Sequence, residues 1–265
     1  MTPDRRRRLV ALGVIVVLGA ASQLLSPWLE VRTDVGAEGV GEGTFPVVEV
    51  AGLGSRGVGF AALTRELVAD GVPVLDFDPD RSGVQPLVYM PDDADLRIAD
   101  LADDEVAPAI AAALQRAGYD PATQVVDVVS HSTGGLVMRH LVEQVDGWAD
   151  RVDDLVLVAA PNHGSTVVWL ETRRGPFAGL GADMRPGSDF LDGLGYDEPR
   201  GEVYTTVGGD PWLFRWPPVG GFDDQVPSRS PFLDGAANNV YPSFHGRLLK
   251  SAGVIDLIAS TLRAD

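Results

Sequence analysis

Residues 128–135, with the sequence VVSHSTGG, carry the residue types of a serine nucleophile on a tight turn. They follow a run of apolar residues typical of a buried strand, and they open a segment with helical periodicity. In such a strand–turn–helix the two backbones nearly touch, so small residues are needed two positions before and after the serine. Ser130 and Gly134 meet this requirement around Ser132. The pattern predicts a nucleophilic Ser132; the simpler interpretation is a Ser/Gly-rich turn.

The same stretch resembles the nucleophile elbow of bacterial lipases and esterases of the α/β-hydrolase family, especially those with a His-Ser-x-Gly-Gly elbow. Residues 160–165, APNHGS, are similar to the Pro-Asn-His-Gly-Thr segment that these enzymes carry after the next strand. Residues 184–194 resemble their segment ending in Pro-Gly-Ser-x-Phe-Leu, and the likeness extends through most of residues 46–263. The resemblance implies hydrolysis of carboxylic esters, with an apolar acyl ester or lipid as substrate, through a Ser-Asp-His triad and an acyl-enzyme.

A serine nucleophile needs a histidine as base, and this chain has four histidines. His131 neighbours the nucleophile and is expected to point away into the packing between helix and strand. His140 lies within the following helix, and His163 precedes the expected acid, whereas the order in this fold is serine, acid, histidine. His245 follows the last predicted strand, and residues 244–249 resemble the family's histidine segment. His245 is therefore the predicted base.

The carboxylate that orients the base is assigned by the same resemblance. Residues 222–227, FDDQVP, resemble the Asp-Gly-Val-Val-Pro loop of the family, and alignment of the Val-Pro pair places the acid at Asp223. Two alternatives stay open. Asp224 is the immediate neighbour, expected to be solvated or supporting, and Asp210 lies closer to the end of a predicted strand.

The oxyanion formed during acyl transfer needs two preorganised backbone N–H donors. The residue after the nucleophile, Thr133, is expected to supply one of them. Residues 50–54, VAGLG, resemble the His-Gly-x-Gly loop of the family, which places the second donor at Leu53. Ala51 stands where family members usually have histidine. Because the donor is a backbone group, activity should survive, but the hydrogen bonds of that histidine are lost.

The elements that must position these residues alternate along the chain. Helices are predicted over residues 58–70, 103–117, 133–144 and 247–262. Strands are predicted at residues 46–51, 72–77, 124–129, 154–160, 202–207 and 239–244. This alternation predicts the α/β class, as an α/β-hydrolase fold with a mostly parallel central sheet and helices on both faces. Residues 33–265 are expected to form one catalytic domain, which begins with a Gly- and acid-rich linker at 33–44.

Residues 166–201 interrupt this alternation and mix apolar side chains with Gly and Pro, which predicts an inserted cap or lid over the site. Several aromatic side chains in this insertion and in the loop before the acid are candidate substrate contacts: Trp169, Phe190, Trp212, Phe214 and Trp216. A role in the core stays open for these aromatics. If they are exposed together, they predict a patch that meets a lipid interface.

The first 32 residues have the features of an export signal. Arg5–Arg8 form a positive segment, and an apolar run from Leu9 to Leu25 follows, with small residues near its end. This pattern favours a signal peptide, and an uncleaved N-terminal anchor in contact with the membrane is the alternative. Either interpretation predicts a secreted or cell-surface protein that has crossed the cytoplasmic membrane.

Composition excludes several other classes. The net charge of −17 opposes binding to nucleic acid, which is a polyanion. The chain has no cysteine, so disulfides, thiolate metal sites and cysteine nucleophiles are excluded. No phosphate loop, dinucleotide fingerprint or metal motif is recognised, so neither a cofactor nor a metal is expected. An acyltransferase that uses the same acyl-enzyme, and a non-catalytic surface binding protein on the same fold, stay open as alternatives.

Overall fold

One parallel sheet organises the part of the chain that the computed structural model describes, namely residues 45–55, 57, 59–199, 203–211 and 221–262. Its five strands lie side by side in chain order. They are β1 (Val47–Val50), β2 (Val126–His131), β3 (Val152–Val158), β4 (Tyr204–Gly209) and β5 (Ala237–Tyr241). Each strand is parallel to its neighbours, so all the carboxyl ends meet at one edge of the sheet.

Helices cover both faces of this sheet. They are α1 (Ala61–Ala69), α2 (Ile98–Leu101), α3 (Ala107–Arg116), α4 (Thr133–Gln144), α5 (Thr166–Thr172), α6 (Ala178–Asp183), α7 (Asp189–Leu194) and α8 (Ala252–Thr261). Short 3₁₀-helices occupy Ala149–Arg151 and His245–Lys250. Within the described ranges, none of these helices is long and apolar enough to cross a membrane.

The core is divided into two apolar clusters, one on each face of the sheet. On one face, α2, α3, α4, α6 and α7 pack against side chains of β1–β4. On the other face, α1 and α8 pack against the alternate side chains of β1–β4. Strands covered on both sides must be apolar throughout, which explains the Val- and Leu-rich runs in the sequence. The predicted α/β class, with a parallel sheet covered on both faces, is confirmed.

The strand predicted at 72–77 is reduced to a single bridge between Val47 and Val74. Its pairing stops at Asp76, whose carboxylate accepts hydrogen bonds from the backbone N–H groups of Asp78 and Gln85, at 3.1 and 3.0 Å. These bonds turn the chain away from the sheet. The sequence shows an apolar run there, but the run does not reveal that Asp76 closes a loop.

The helix predicted over 103–117 begins earlier, at Ile98. The backbone N–H of Ile98 donates to the carboxylate of Asp183, 2.9 Å away, so the residue that caps this helix is distant in sequence. Pro108 therefore lies inside a continuous helical segment, where it lacks an N–H group and crowds the preceding turn. A wider π-type turn at Ala102–Val106 precedes the proline and accommodates it.

Within residues 166–199, the insertion forms three short helices, α5 to α7, and its second half is packed firmly onto the domain. Leu180, Met184 and Leu191 are buried in the larger apolar cluster. Asp183 forms an ion pair with Arg97, in addition to capping α2. This part of the insertion is therefore anchored by both apolar burial and charge.

A buried arginine provides a second anchor for the insertion. Arg139 on α4 is fully buried, and its guanidinium donates to Glu143 at 2.7 and 3.0 Å. It also donates to the carbonyl oxygens of Leu194 and Gly195 at the end of α7, at 3.3 and 3.1 Å. Removal of a buried charge from its partners is costly, so this network fixes the end of α7 to α4.

Glu49 is a buried carboxyl group in the middle of β1. Within the described residues, the Thr64 hydroxyl on α1 is its hydrogen-bond partner and donates to the carboxyl oxygens at 2.7 and 3.0 Å. Burial raises the pKa of Glu49 to about 8, and the hydrogen bond from Thr64 opposes this shift only in part. Glu49 is therefore protonated in the folded protein at neutral pH.

We expect Glu49 to make the folded protein less stable as pH rises. The ordinary pKa is 4.5 and the folded value is about 8, so the folded state binds more protons between these values. The free energy of unfolding should fall across that window by at most about 1.4 kcal/mol per pH unit. Urea unfolding at pH 5, 6, 7 and 8 should show this slope in the wild type and a smaller slope in Glu49→Gln. Glu66→Gln, on the exposed side of α1, is the control, and an unchanged slope in Glu49→Gln would contradict the assignment.

Candidate active site

Ser132 occupies a strained turn between the end of β2 and the start of α4. Its backbone angles are φ 54° and ψ −126°, a conformation that residues other than glycine rarely adopt. The backbone N–H of Ser132 donates to the carbonyl oxygen of Val158 at 2.8 Å, which ties the turn to the end of β3. The serine therefore lies at the carboxyl edge of the sheet, held in a conformation that costs free energy.

Close backbone approaches around this turn explain its small residues. A Cβ atom at Gly134 would lie 2.7 Å from the carbonyl oxygen of Ala51, and one at Gly135 would lie 2.5 Å from the Cβ of Ala160. A Cβ atom at Gly52 would lie 2.8 Å from the Cβ of Ser132. The loop after β1 and the start of α4 are thus pressed against the serine from two sides.

His245 and Asp223 form a buried pair at the same edge of the sheet. The Nδ1 atom of His245 lies 2.9 Å from Oδ2 of Asp223. The other oxygen, Oδ1, accepts the backbone N–H groups of Gln225 and Val226 at 3.0 and 2.6 Å. Both carboxylate oxygens are therefore engaged, which fixes the plane of the carboxylate and, through it, the orientation of the imidazole.

The three candidate acids are clearly separated by this geometry. Asp224 has a positive φ of 87° and accepts the backbone N–H of His245 at 3.2 Å, so it contacts the main chain of His245 instead of its ring. Asp210 donates its backbone N–H to Tyr241, and its carboxylate lies beside Gly221. Of the three, Asp223 is the one whose carboxylate meets the imidazole of His245.

The surroundings of His245 favour its protonated form. Burial lowers the pKa of His245, but the carboxylates of Asp223, Asp224 and Glu171 outweigh it, so the pKa is raised above the ordinary value of 6.5. The Nε2 atom of His245 is buried and has no hydrogen-bond partner within the described part of the chain. One ring nitrogen of His245, Nδ1, is thus held by a carboxylate, while the other, Nε2, remains available to a reacting group.

His131 does not point away from the site, and the prediction that it would is wrong. Its Nε2 lies 3.2 Å from the carbonyl oxygen of His245, and the two ring centroids are 4.8 Å apart. Burial, followed by repulsion from His245, lowers the pKa of His131 to about 3, so this ring is neutral. Strand alternation gives a signal for this placement, because it puts His131 on the same face of β2 as Val129, where α8 packs.

Of the two predicted oxyanion donors, Thr133 follows Ser132 directly, and Leu53 follows Gly52, which lies against Ser132. Thr133 is the first residue of α4, so its N–H has no acceptor within the helix. Leu53 lies in the turn after β1, between Gly52, which is pressed against Ser132, and Gly54, which has a φ of 64°. Ala51, where the related enzymes usually carry histidine, is buried in the cluster beneath α1 and α8.

Two side chains of the insertion reach this part of the site, although sequence reasoning did not select either of them. The hydroxyl of Thr133 donates to the sulfur of Met184 at 3.2 Å. The ring of Phe177 comes within 3.9 Å of where a Cβ atom would lie on Gly54. An apolar surface from the insertion therefore lies against both stretches of backbone that carry the predicted donors.

The aromatic side chains predicted to contact substrate lie in different surroundings, and three of them lie outside the described residues. Trp169 lies half-buried on α5. Phe190 lies beside His140, with ring centroids 6.2 Å apart, about two helical turns beyond Ser132 on α4. Trp212, Phe214 and Trp216 lie outside the described residues, as do the export segment at 1–32 and the linker at 33–44. Those assignments stay predictions.

Three carboxylates gather at the opposite edge of the sheet. Ligand oxygens of Asp127, Asp153 and Asp154 lie within 4.8 Å of one another, near the amino ends of β2 and β3. Acidic clusters of this kind are common without an ion, so the group carries no functional argument. It is also remote from Ser132, which lies at the carboxyl end of β2.

Solved structures with a similar fold come from bacteria and fungi. The lipase BlEst2 from Bacillus licheniformis, in its mature form, matches with a TM-score of 0.63 and 16% identity, covering 86% of this chain and 96% of that one. Phospholipase PlaB from Legionella pneumophila matches with a TM-score of 0.62 and 16% identity, covering 83% and 58%. Lipase B from Aspergillus fumigatus matches with a TM-score of 0.57 and 17% identity, covering 88% and 59%. This chain has the α/β-hydrolase fold.

Ser132 follows β2, Asp223 lies in the connection between β4 and β5, and His245 follows β5, which is the order serine, acid, histidine expected in this fold. The chain spans less than two thirds of the Legionella and Aspergillus enzymes, and identities near 16% establish the fold and not the reaction. Residues 103–172, which include the turn at Ser132, match a family model described as a domain of unknown function, DUF7379. A search of curated proteins gave no match.

We expect Asp223→Asn to lower the pKa of His245, because the variant removes the carboxylate that contacts the imidazole. Asp224→Asn should lower it less, since the hydrogen bond of Asp224 goes to the backbone N–H of His245 and not to its ring. Asp210→Asn is the control and should leave it unchanged. Titration of the His245 imidazole by NMR measures all three. A larger fall in Asp224→Asn than in Asp223→Asn would contradict the assigned geometry.

Proposed function

We propose that this protein is a serine hydrolase that cleaves carboxylic esters, with Ser132 as nucleophile, His245 as base and Asp223 as the acid that orients the base. One observation carries the proposal most directly. A buried imidazole is paired with a carboxylate through Nδ1, its Nε2 is unengaged within the described residues, and a strained serine lies at the same sheet edge.

The reaction follows from these positions. Ser132 Oγ attacks the ester carbonyl carbon while His245 Nε2 accepts the hydroxyl proton. His245 then gives this proton to the oxygen of the leaving alcohol, and an acyl-enzyme on Ser132 remains. Water attacks the acyl carbon, His245 takes its proton and returns it to Ser132 Oγ, and the carboxylic acid leaves. Throughout, Asp223 holds Nδ1–H and stabilises the charge that His245 carries in each transition state.

The developing oxyanion is stabilised by backbone N–H groups of Leu53 and Thr133 in this proposal. Preorganisation supports their role, because the contact of Gly52 with Ser132 fixes the β1 loop and the first turn of α4 fixes Thr133. Donors that are already in place do not have to reorganise when charge develops. Because both are main-chain groups, Ala51 in place of the usual histidine does not remove either of them.

The substrate we favour is an ester with an apolar acyl chain, covered by the insertion at 166–201 acting as a cap. Phe177 and Met184 support this choice, since they bring apolar surface to the two donor segments. Trp169 extends this surface in the proposal, whereas the position of Phe190 beside His140 makes it a packing residue. The contact of Phe177 with the β1 loop gives the acyl chain an apolar wall on the oxyanion side.

We expect Ser132→Ala to lower turnover of nitrophenyl esters by about a million-fold, because the nucleophile is lost, while the fold is retained. Ser260→Ala on the exposed side of α8 is the control and should match the wild type. Labelling of the wild type by a nitrophenyl phosphonate, located on Ser132 by mass spectrometry, gives a second readout. Ordinary turnover by Ser132→Ala would refute the proposal. Acyl transfer to an added alcohol in preference to water would identify an acyltransferase instead.

We expect Phe177→Ala to weaken the preference for longer acyl chains. Each buried methylene contributes about 0.8 kcal/mol, so kcat/KM for nitrophenyl esters should rise several-fold per added carbon until the wild-type pocket is full. The variant should show a flatter dependence on chain length from acetate to octanoate. Phe190→Ala is the matched control, because that ring lies beside His140, and it should keep the wild-type profile. Equal profiles for Phe177→Ala and the wild type would exclude this acyl wall.

A further inference from the structure

His245 is held at almost every polar group it possesses. Its backbone N–H donates to the carbonyl oxygen of Asp223 at 2.8 Å and to Asp224 at 3.2 Å, and its Nδ1 contacts the Asp223 carboxylate. Its carbonyl oxygen lies 3.2 Å from Nε2 of His131. The first three contacts come from the acid loop. The fourth comes from the segment that carries the nucleophile.

The contact from His131 has a defined chemistry. A carbonyl oxygen only accepts hydrogen bonds, so Nε2 of His131 must carry a proton and donate it. The residue is partly buried, and its pKa is lowered to about 3, so the ring is neutral; donation from Nε2 then makes it the Nε2–H tautomer and leaves Nδ1 without a proton. That Nδ1 faces the β1 loop, because a Cβ atom on Gly52 would lie 3.2 Å from it. The ring of His131 thus touches the base and the oxyanion loop at once.

We propose that His131 is a positioning residue that sets the distance between Ser132 and His245 by donating a hydrogen bond to the His245 carbonyl. This inference rests on the proposed function and adds a residue to it. His131 precedes Ser132 directly, so a bond from its side chain to His245 joins the nucleophile segment to the base through a single residue. Its hydrogen bond goes to the main chain of His245 and not to the nitrogen that carries the transferred proton.

This link is needed because the other contacts of His245 do not fix its distance from Ser132. Nε2 of His245 has no hydrogen-bond partner in the described ranges, so a bond from the serine hydroxyl does not hold the two groups together in the resting protein. The contacts from Asp223 and Asp224 orient His245 relative to their own loop, but they do not fix its distance from Ser132. The bond from His131 supplies the missing relation, and a displacement of about 1 Å at such a site can cost a hundredfold in rate.

The neutrality of His131 suits this role. His245 gains a positive charge in each transition state, and a second charged imidazole with its centroid 4.8 Å away would oppose that charge. A neutral donor holds the carbonyl of His245 without such repulsion. The positive end of the His131 N–H still points toward His245 and slightly disfavours its protonation, so loss of the donor should raise the pKa of His245.

Two substitutions separate the donor of His131 from its ring. His131→Phe keeps an aromatic ring and loses the donor, and His131→Gln keeps an amide N–H at a similar reach and loses the ring. We expect His131→Phe to lower kcat by about ten- to a hundredfold, with KM within twofold of the wild type. The acid limb of its pH profile should move to higher pH. His131→Gln should recover most of kcat and the wild-type acid limb. Equal kcat for His131→Phe and wild type, or equal losses in both folded variants, would overturn the proposal.

A measurement on the wild type keeps the inference testable if a variant does not fold. Imidazole ¹⁵N shifts should show His131 as the neutral Nε2–H tautomer from pH 5 to pH 9. Titration of His131 near pH 6.5, or the Nδ1–H tautomer, would overturn the proposed bond. Phosphonate labelling of Ser132 in the same sample distinguishes failure of the hydrolase proposal from failure of the positioning role. An unlabelled serine refutes the hydrolase itself, whereas labelled wild type with the wrong His131 tautomer refutes only the positioning role.

Discussion

The conformation of the backbone at Ser132 is the constraint on which the carboxyl edge of the sheet depends. The turn from β2 into α4 is so tight that α4 starts against the carbonyl oxygens of β1, and only glycine at position 134 allows this approach. The same turn receives Gly52 from the β1 loop and bonds to Val158 at the end of β3. The ends of β1, β2 and β3 are therefore all fixed in position relative to Ser132. The loop that follows each strand lies beside this residue.

The remaining parts of the site are held by polar contacts between loops that are distant in sequence. Asp223 is fixed by the N–H groups of its own loop and in turn orients His245. The second half of the insertion is fixed by Asp183 at the end of α6 and by Arg139, which binds the end of α7. Asp183 and Arg139 are both buried, so the loss of a hydrogen-bond partner would leave an uncompensated polar group in the interior. This arrangement gives a stiff frame around the serine, with Phe177 and Met184 on its apolar side.

Sequence alone predicted the parts of the fold that local pattern determines. Thr133–Gln144 was predicted as a helix with the observed bounds, because a small-residue turn and an apolar stripe define it locally. The start at Ile98 and the loss of the strand at 72–77 depend on single carboxylates, Asp183 and Asp76, whose partners no local pattern reveals. Within the site, the resemblance of the acid loop selected Asp223, which lies against His245. His131 was misplaced, because its neighbours in space come from the other end of the chain.

The positive φ of Ser132 has a consequence for how such a protein can be improved. Glycine adopts φ 54° and ψ −126° without penalty, whereas serine stores on the order of 1–3 kcal/mol of strain there. Ser132, the proposed nucleophile, therefore destabilises the folded state. Laboratory evolution for heat resistance alone would reward glycine at this position, because glycine relieves the backbone strain. A thermostable variant of this chain must therefore gain its stability at sites other than this one, under a selection that also demands turnover.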